Sequence, residues 1–216
     1  ETDPTGDQYQ YQYDGFHKRT LVRDPLGKTI GYRYHDTGQI YTVTDPRTRR
    51  TSYQYNAHGE LTELRSPDSG LTRFSYDDDA GNLSTRTDAK GTVISYTYDA
   101  LNRPVLVSSS VASEPDIQYG YDNPASEYGI GRLTSVDDGN GIRTFDYTAE
   151  GWIAAETWDI AGRELTTRYE YDGAGQLSKT TYPSGRVVTF TRNAAGNISS
   201  ISTTFGGITT SVASQI

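Results

Sequence analysis

Pairs of aromatic residues, with one residue between their two members, recur along the whole chain. The nine copies are Tyr11/Tyr13, Tyr32/Tyr34, Tyr53/Tyr55, Phe74/Tyr76, Tyr96/Tyr98, Tyr119/Tyr121, Phe145/Tyr147, Tyr169/Tyr171 and Phe190/Arg192, of which the last keeps only its first ring. Successive first members are 21 to 26 residues apart. Residues two apart in a β-strand point to the same face. The spacing therefore predicts a repeat in which each copy begins with a strand that carries two rings on one face.

A turn is predicted directly after each pair. In most copies Asp, Asn or His follows the pair, and such side chains can hydrogen-bond the backbone two residues further on. A glycine then occupies the position at which the turn requires a positive φ. The predicted turn glycines are Gly38, Gly59, Gly81, Gly131, Gly151, Gly175 and Gly196. Asn102 takes this position in the fifth copy, and asparagine is the next residue to tolerate it.

A second, shorter strand is predicted after each turn. Ile40–Val43 and Ile198–Ile201 are rich in β-branched residues, as strands prefer. Leu61 and Leu64 are three residues apart, and regular alternation would place them on opposite faces. Either a β-bulge brings them to one face or both faces carry apolar residues. A second turn, such as Asp24–Gly27, then leads to the next copy.

These elements predict an all-β fold without helices of consequence. The array consists of about nine consecutive antiparallel β-hairpins, which form one curved or spiralling sheet. We expect the array to cover residues 1–201, and residues 202–216 to form a partial final repeat or a frayed C-terminal end. Two insertions, Ser108–Pro115 and Asn123–Gly131, break the period and are expected to be loops that project from one edge.

Composition indicates a thin sheet rather than a thick core. Hydrophobic residues make up 33% of the 216 residues and the mean hydropathy is −0.71, yet 18 residues are tyrosine. A tyrosine ring covers apolar surface while its hydroxyl stays hydrated. The absence of cysteine excludes disulfides and thiolate chemistry. No apolar run approaches the ~18 residues of a membrane span, so we predict none.

The net charge of −8 argues against nucleic acid as a partner. The small basic cluster Arg47–Arg50 is interpreted as part of a turn rather than as a patch for polyanions. The opening segment, residues 1–6, has no signal-peptide pattern and does not look like the natural start of a protein.

Side chains that could bind metals or perform catalysis lie in predicted turns. The three histidines are His17, His35 and His58. No serine or carboxylate spacing around them indicates a catalytic triad or a metal site. The acidic runs Asp77–Asp79 and Asp137–Asp138 lack the spacing and the closing glutamate of a calcium loop. We therefore predict no catalytic residue, no metal and no cofactor. The glycosylation patterns at Asn82 and Asn197 both follow turn glycines, and this pattern is common by chance.

The aromatic residues allow two interpretations. Rings that follow the period are expected to pack across strands, where such pairs stabilise a sheet by about 0.2–1 kcal/mol each. Rings can also stack on sugars, and a carbohydrate platform is the alternative. Aromatic residues outside the period are the better candidates for ligand contact, because the repeat does not require them. The candidates we select among them are Tyr41, Tyr128, Trp152 and Trp158.

The repeat resembles the YD repeats of the Rhs family. The resemblance rests on the pattern Tyr-x-Tyr-Asp-x-x-Gly-x-Leu, seen at residues 169–177 and, with Asn56 in place of the Asp, at residues 53–61, and covers residues 11 to 201. Relatives include wall-associated polymorphic toxins, the C component of Tc insecticidal toxin complexes and the teneurins. Asp24–Gly27 is similar to the Asp-Pro-x-Gly-Leu stretch that supports self-cleavage in this family, but Lys28 follows it, and we interpret it as an ordinary turn.

The resemblance implies a long β-sheet that winds into a hollow shell around a C-terminal toxin or another cargo domain. It also implies that this chain is one part of such a shell in a secreted or cell-surface protein. Its partners would be the remaining repeats of the same chain and the enclosed cargo domain. We therefore predict a structural scaffold and not an enzyme. The alternative is a carbohydrate-binding module that uses the exposed aromatic residues, with a glycan as its partner.

Overall fold

The computed structural model describes residues 6, 8–76 and 80–214. These residues form one open sheet of 19 antiparallel strands, and no helix occurs among them. The prediction of an all-β array of consecutive hairpins is confirmed. The chain divides into two compact units, Glu1–Arg103 with Ser108–Ala112 and Pro104–Val107 with Ser113–Ile216.

Nine strands lie in the N-terminal unit. They are β1 (Gln10–Tyr13), β2 (Arg19–Arg23), β3 (Thr29–Tyr34), β4 (Ile40–Thr44), β5 (Arg50–Tyr55), β6 (Leu61–Ser66), β7 (Gly70–Tyr76), β8 (Leu83–Thr87) and β9 (Val93–Tyr98). Strand β10 (Pro104–Ser109) is divided between the two units.

Nine further strands lie in the C-terminal unit. They are β11 (Ile117–Tyr121), β12 (Leu133–Asp137), β13 (Ile142–Tyr147), β14 (Ile153–Ile160), β15 (Arg163–Tyr171), β16 (Leu177–Thr181), β17 (Val187–Arg192), β18 (Ile198–Phe205) and β19 (Ile208–Ser214). Residues 202–214, where the sequence loses the aromatic pair, therefore lie in the hairpin of β18 and β19 and its turn.

Each aromatic pair stands at the end of an odd-numbered strand, and in seven registers its second position lies opposite an Ile or Leu of the following strand. In the hairpin of β5 and β6, Tyr53 pairs with Leu64 and Tyr55 pairs with Leu61. The register shifts between Gln54 and Tyr55, so that Thr62 is an extra residue on its strand. This β-bulge brings Leu61 and Leu64 to the face of the two tyrosines. Of the two alternatives left by the sequence, the bulge is therefore the one that occurs.

The apolar core of this sheet is thin. Among the described residues, Phe145 is the one buried apolar side chain, with 9% of its surface exposed. The paired rings and the leucines and isoleucines opposite them are mostly half-buried. Within the same residues, no helix is long and apolar enough to cross a membrane.

Candidate functional site

Because a repeat scaffold depends on how its units hold together, the first candidate site is the contact between consecutive hairpins. We call this contact, between an even-numbered strand and the next odd-numbered strand, the joint. The backbone ladder of the joint between β4 and β5 has three pairs and ends at Thr42 and Ser52. Tyr55 extends it, because its hydroxyl donates a hydrogen bond of 2.9 Å to the backbone oxygen of Ile40, two residues beyond the ladder.

The same hydrogen bond recurs along the sheet. In each case the second tyrosine of a pair donates to the backbone oxygen of the first residue of the preceding even-numbered strand. The further pairs are Tyr34 with Arg19, Tyr98 with Leu83, Tyr121 with Pro104, Tyr147 with Leu133 and Tyr171 with Ile153. The second ring of the pair is therefore both a packing residue and a fixed donor across the joint.

Arg192, where the ninth copy loses its second ring, makes an equivalent bond. Its guanidinium donates to the backbone oxygen of Leu177 at 2.7 Å, and Leu177 is the first residue of β16. The position therefore requires a long side chain that ends in a donor. A repeat that looks degenerate in sequence still holds its neighbour by the same contact.

Burial at the joint alters the titration of these tyrosines. Burial raises the pKa of the Tyr171 hydroxyl above its usual value. The pKa of Tyr55 is raised by burial and by the nearby Tyr53. For Tyr147, burial raises the pKa while the charge of Arg132 opposes the rise. The joint therefore favours the neutral hydroxyl, which is the form that donates.

A second feature of each repeat is the extra residue at the bulge. The extra residues are Thr20, Tyr41, Thr62, Ser84, Thr134, Ala154, Ser178 and Ser199. Four of the hydroxyls among them donate to the backbone oxygen of the residue between the two rings of the pair. The donors and acceptors are Ser84 and Ser75, Thr134 and Gly120, Ser178 and Glu170, and Ser199 and Thr191.

Aromatic spacing alone does not reveal these bulge residues. The signal that could have found them is a small residue, usually Ser or Thr, directly after the first Leu or Ile of each second strand. Tyr41 departs from this pattern, because it is the one aromatic residue among the eight bulge positions.

In five copies, the turn after the pair is held by two hydrogen bonds to its first residue, which is Asp14, Asn56, Asp99, Asp172 or Asn193. The carboxylate of Asp172 accepts hydrogen bonds from the backbone N–H groups of Ala174 and Gln176, both near 3 Å. Asn193 does the same for Ala195 and Asn197. All seven predicted turn glycines have a positive φ, between 74° and 96°, and Asn102 has a φ of 60°. One side chain therefore satisfies two backbone donors of each such turn.

Three of the four aromatic candidates for ligand contact already contact other side chains. The ring of Tyr41 lies 5.0 Å from that of His35, centre to centre. Trp152 lies 5.0 Å from Tyr171, and its ring covers Gly175 so closely that any Cβ there would collide with it.

Trp158 lies on strand β14 beneath a guanidinium. The group belongs to Arg143 and is 3.9 Å from the ring centre, and the indole N–H donates to Glu156 at 2.8 Å. The remaining residue, Tyr128, is 52% exposed and has a φ of 50°, and its backbone oxygen accepts a bond from Arg132. Each of the four residues thus has its own local surroundings.

The insertion Asn123–Gly131 folds back over the sheet rather than projecting freely from it. The backbone oxygen of Glu127 accepts a bond of 2.9 Å from the N–H of Tyr147, and the hydroxyl of Ser126 donates to Phe145. The expectation of a projecting loop is therefore wrong for this segment. Its carbonyl and hydroxyl groups bond the β13 backbone, and sequence spacing alone cannot show such a contact.

The remaining candidates lie in turns, as the sequence indicates. His17 has a φ of 61° in the first turn, and the N–H of His58 donates to Asn56. Within the described ranges, no group of three His, Cys, Asp or Glu side chains could hold a metal ion. The run Asp77–Asp79 lies outside the described residues. Asp137 and Asp138 accept hydrogen bonds from backbone N–H groups of their own turn.

The basic cluster, the glycosylation pattern at Asn82 and the stretch similar to the cleavage motif each form ion pairs or hydrogen bonds with nearby residues. In the basic cluster, Arg49 forms ion pairs of 2.7 Å with Asp45 and with Asp68. The side chain of Asn82 donates to that of Asn102 at 2.9 Å. Asp24, at the start of the stretch similar to the cleavage motif, accepts a bond from the N–H of Lys28, as a turn residue does.

Two family models match the chain. The teneurin YD-shell model matches residues 53–214, and the RHS repeat model matches residues 1–29 and 34–71. Both describe structural shell repeats rather than enzymes. A search of curated proteins finds no significant match.

Solved structures with a similar fold include toxin complexes. A crystal structure of TcdB2-TccC3-Cdc42 is 14% identical with a TM-score of 0.65, and the match covers 97% of this chain and 15% of that one. A crystal structure of TcdB2-TccC3 is 15% identical with a TM-score of 0.64, with the same coverage. A Tc holotoxin pore from Photorhabdus luminescens is 14% identical with a TM-score of 0.63 and coverages of 94% and 14%. The chain thus spans about one seventh of the length of these structures, and at this identity the likeness concerns the fold alone.

Proposed function

Because the chain belongs to the teneurin YD-shell family, we propose that it is a segment of a β-sheet shell that encapsulates or displays a toxin or other cargo domain. The observation that carries this proposal is the succession of hairpins, in which a side-chain donor crosses seven of the joints between neighbours. The proposed partners are further repeats of a longer, secreted or cell-surface protein and the cargo domain itself. In this role the chain has no catalytic activity of its own.

The two ends of the sheet support continuation into further repeats. Among the described pairings, β1 has β2 as its one neighbour and β19 has β18. Exposed strand edges are templates for further pairing. On β19, Ile208 and Val212 are 72% and 63% exposed, so this edge carries apolar side chains that additional repeats would cover.

The energetics of the sheet also suit a shell. With a single buried apolar side chain among the described residues, no central core holds distant repeats together. Stability in such an array is approximately the sum of the terms within each repeat and at each joint. A shell wall needs this property, because it must extend over a cargo without depending on what it encloses.

Limited proteolysis of the longer protein that carries this chain tests encapsulation. The predicted result is that the cargo domain resists a protease while the shell is intact, whereas the same domain produced alone is cut. The separately produced domain serves as the control for intrinsic resistance. Equal rates of cleavage in the two settings would contradict the proposal.

Sedimentation of the isolated chain tests the role of the edges. We expect association that grows with concentration and weakens in a Val212→Lys variant, because a charged edge strand resists pairing. Leu26→Lys is a matched control, since Leu26 is 80% exposed but lies in a turn. A strictly monomeric wild-type chain at high concentration would count against open, pairing edges.

A further inference from the structure

Grooves recur on the sheet between the turn of one hairpin and the aromatic strand of the next. In the N-terminal unit, one groove of about 310 Å³ includes Phe16 and Lys18. The next, of about 710 Å³, lies one repeat further along and includes Gln39 and Tyr55. A corresponding groove of about 510 Å³ in the C-terminal unit is lined by Trp152 and Tyr171. The grooves are thus a product of the repeat, and their walls differ from copy to copy.

Tyr41 makes the first two grooves different from the third. It lines both, together with His35 and Asp36, and so stands between them. The bulge residue at the corresponding position of the third groove is Ala154. Since the other seven bulge residues at the equivalent position of a repeat are Ser, Thr or Ala, the repeat itself does not require a ring at this position. An aromatic ring at the shared wall of two grooves needs a reason other than the fold.

The chemistry of the larger groove favours a neutral, hydroxyl-rich ligand. Its lining includes the rings of His35, Tyr41, Tyr53 and Tyr55, with the His35 ring 5.0 Å from Tyr41 and 6.2 Å from Tyr55. Ser52 and Gln54 supply polar groups, and neither Lys nor Arg lines this groove within the described part of the chain. Rings that offer apolar faces, next to hydrogen-bonding side chains, match the alternating apolar and hydroxyl faces of a sugar. Among the described residues, Asp36 lines this larger groove without a cation beside it, which disfavours acidic glycans here; Lys18 and Arg33 line the smaller groove.

We propose that the two grooves flanking Tyr41 bind a neutral oligosaccharide, with sugar rings on both sides of the Tyr41 side chain. The two grooves are one hairpin apart, which is two strand spacings or about 10 Å. An extended oligosaccharide of a few sugar units can cross that distance. Binding at this site goes beyond the scaffold role, and the shell segment can perform that role with or without it.

The first experiment screens the folded chain against an array of neutral and acidic glycans and measures each hit by calorimetry. The expected result is saturable binding of a neutral oligosaccharide, weakened at least about tenfold by Tyr41→Thr. This substitution introduces the residue type already found at the bulges of Thr20 and Thr62, so the variant should fold. Trp152→Gln is the matched control, because Trp152 occupies in the third groove the place that Gln39 has here.

A second variant keeps the test independent of the bulge. Gln54 is exposed and makes no side-chain hydrogen bond within the described part of the chain, so Gln54→Ala should leave the melting temperature unchanged. Loss of one hydrogen bond should weaken glycan binding about two- to tenfold. Absence of any glycan hit, unchanged affinity in Tyr41→Thr, or a loss confined to Trp152→Gln would each overturn the proposal. None of these outcomes would alter the protease protection expected of the shell.

Discussion

Removal of one hydroxyl at a joint should weaken the sheet by a predictable amount. In Tyr55→Phe the ring stays opposite Leu61, while the hydrogen bond to the backbone oxygen of Ile40 is lost. A typical intramolecular hydrogen bond contributes about 0.5–1.5 kcal/mol net. We therefore expect the free energy of unfolding to fall by about that amount.

Tyr53→Phe is the matched control. Tyr53 belongs to the same strand and pairs with Leu64, but its hydroxyl makes no hydrogen bond with the described residues. Surface changes of this kind stay within about 0.5 kcal/mol. The comparison separates the hydrogen bond across the joint from the general effect of removing a tyrosine hydroxyl.

Urea denaturation of the whole chain, followed by circular dichroism, supplies the measurement. The expected result is a lower midpoint for Tyr55→Phe at an unchanged slope, because the same surface is exposed on unfolding. Equal midpoints for the two variants, or a larger loss in Tyr53→Phe, would refute the assignment of the hydroxyl as a tie between hairpins.

Three further predictions concern pH, a turn and the ninth repeat. Folding raises the pKa of several tyrosines, including Tyr55 and Tyr171, because burial in the folded chain favours their neutral hydroxyls. The stability that these hydroxyls contribute is therefore complete below the usual tyrosine pKa near 10 and is lost as the pH rises above it. Denaturation midpoints that stay constant up to about pH 12 would contradict this. Gly59→Val should lower the free energy of unfolding by more than about 1 kcal/mol. The φ of Gly59 is +86°, and the new Cβ would lie 2.9 Å from the side-chain nitrogen of Gln39. An unchanged melting temperature would show that the turn accommodates the substitution without strain. Arg192→Leu should lose about 0.5–1.5 kcal/mol and Arg192→Tyr should not, by the same urea assay; equal stability of the two variants would show that the bond to Leu177 contributes nothing.

The fold could be predicted from the sequence because the signals that define each repeat lie close together along the chain. The paired rings set the strands, and the Asp or Asn after each pair together with a residue of positive φ sets the turns. Each of these signals acts within about nine residues, as from Tyr53 to Leu61. Hence the hairpins could be placed without knowing how they meet.

The joints could not be predicted in the same way, because they depend on pairing between strands. Whether Leu61 and Leu64 share a face is decided by the extra residue Thr62, and its position follows from the register with β5. In the sequence, Arg192 stands where the other pairs have a second aromatic ring. A pattern of rings does not show that its guanidinium can donate to the backbone oxygen of Leu177, as the second tyrosines do at other joints.

The candidate groove was visible only in part. Tyr41 stood outside the period and was therefore a candidate for ligand contact. Its place at a bulge, and its role as the common wall of two grooves, required the strand register and the position of the next hairpin. Trp152 and Trp158 looked equivalent to it in sequence, but one covers Gly175 and the other lies under Arg143.

An electron cryomicroscopy map of the longer protein that carries this chain tests the central claim most directly. The account predicts a continuous wall of hairpins in which β1 and β19 each pair with a further strand, and cargo density on one side of that wall. A map in which these edges stay unpaired, with the cargo domain separate in solvent, would contradict the claim that this chain is a shell segment.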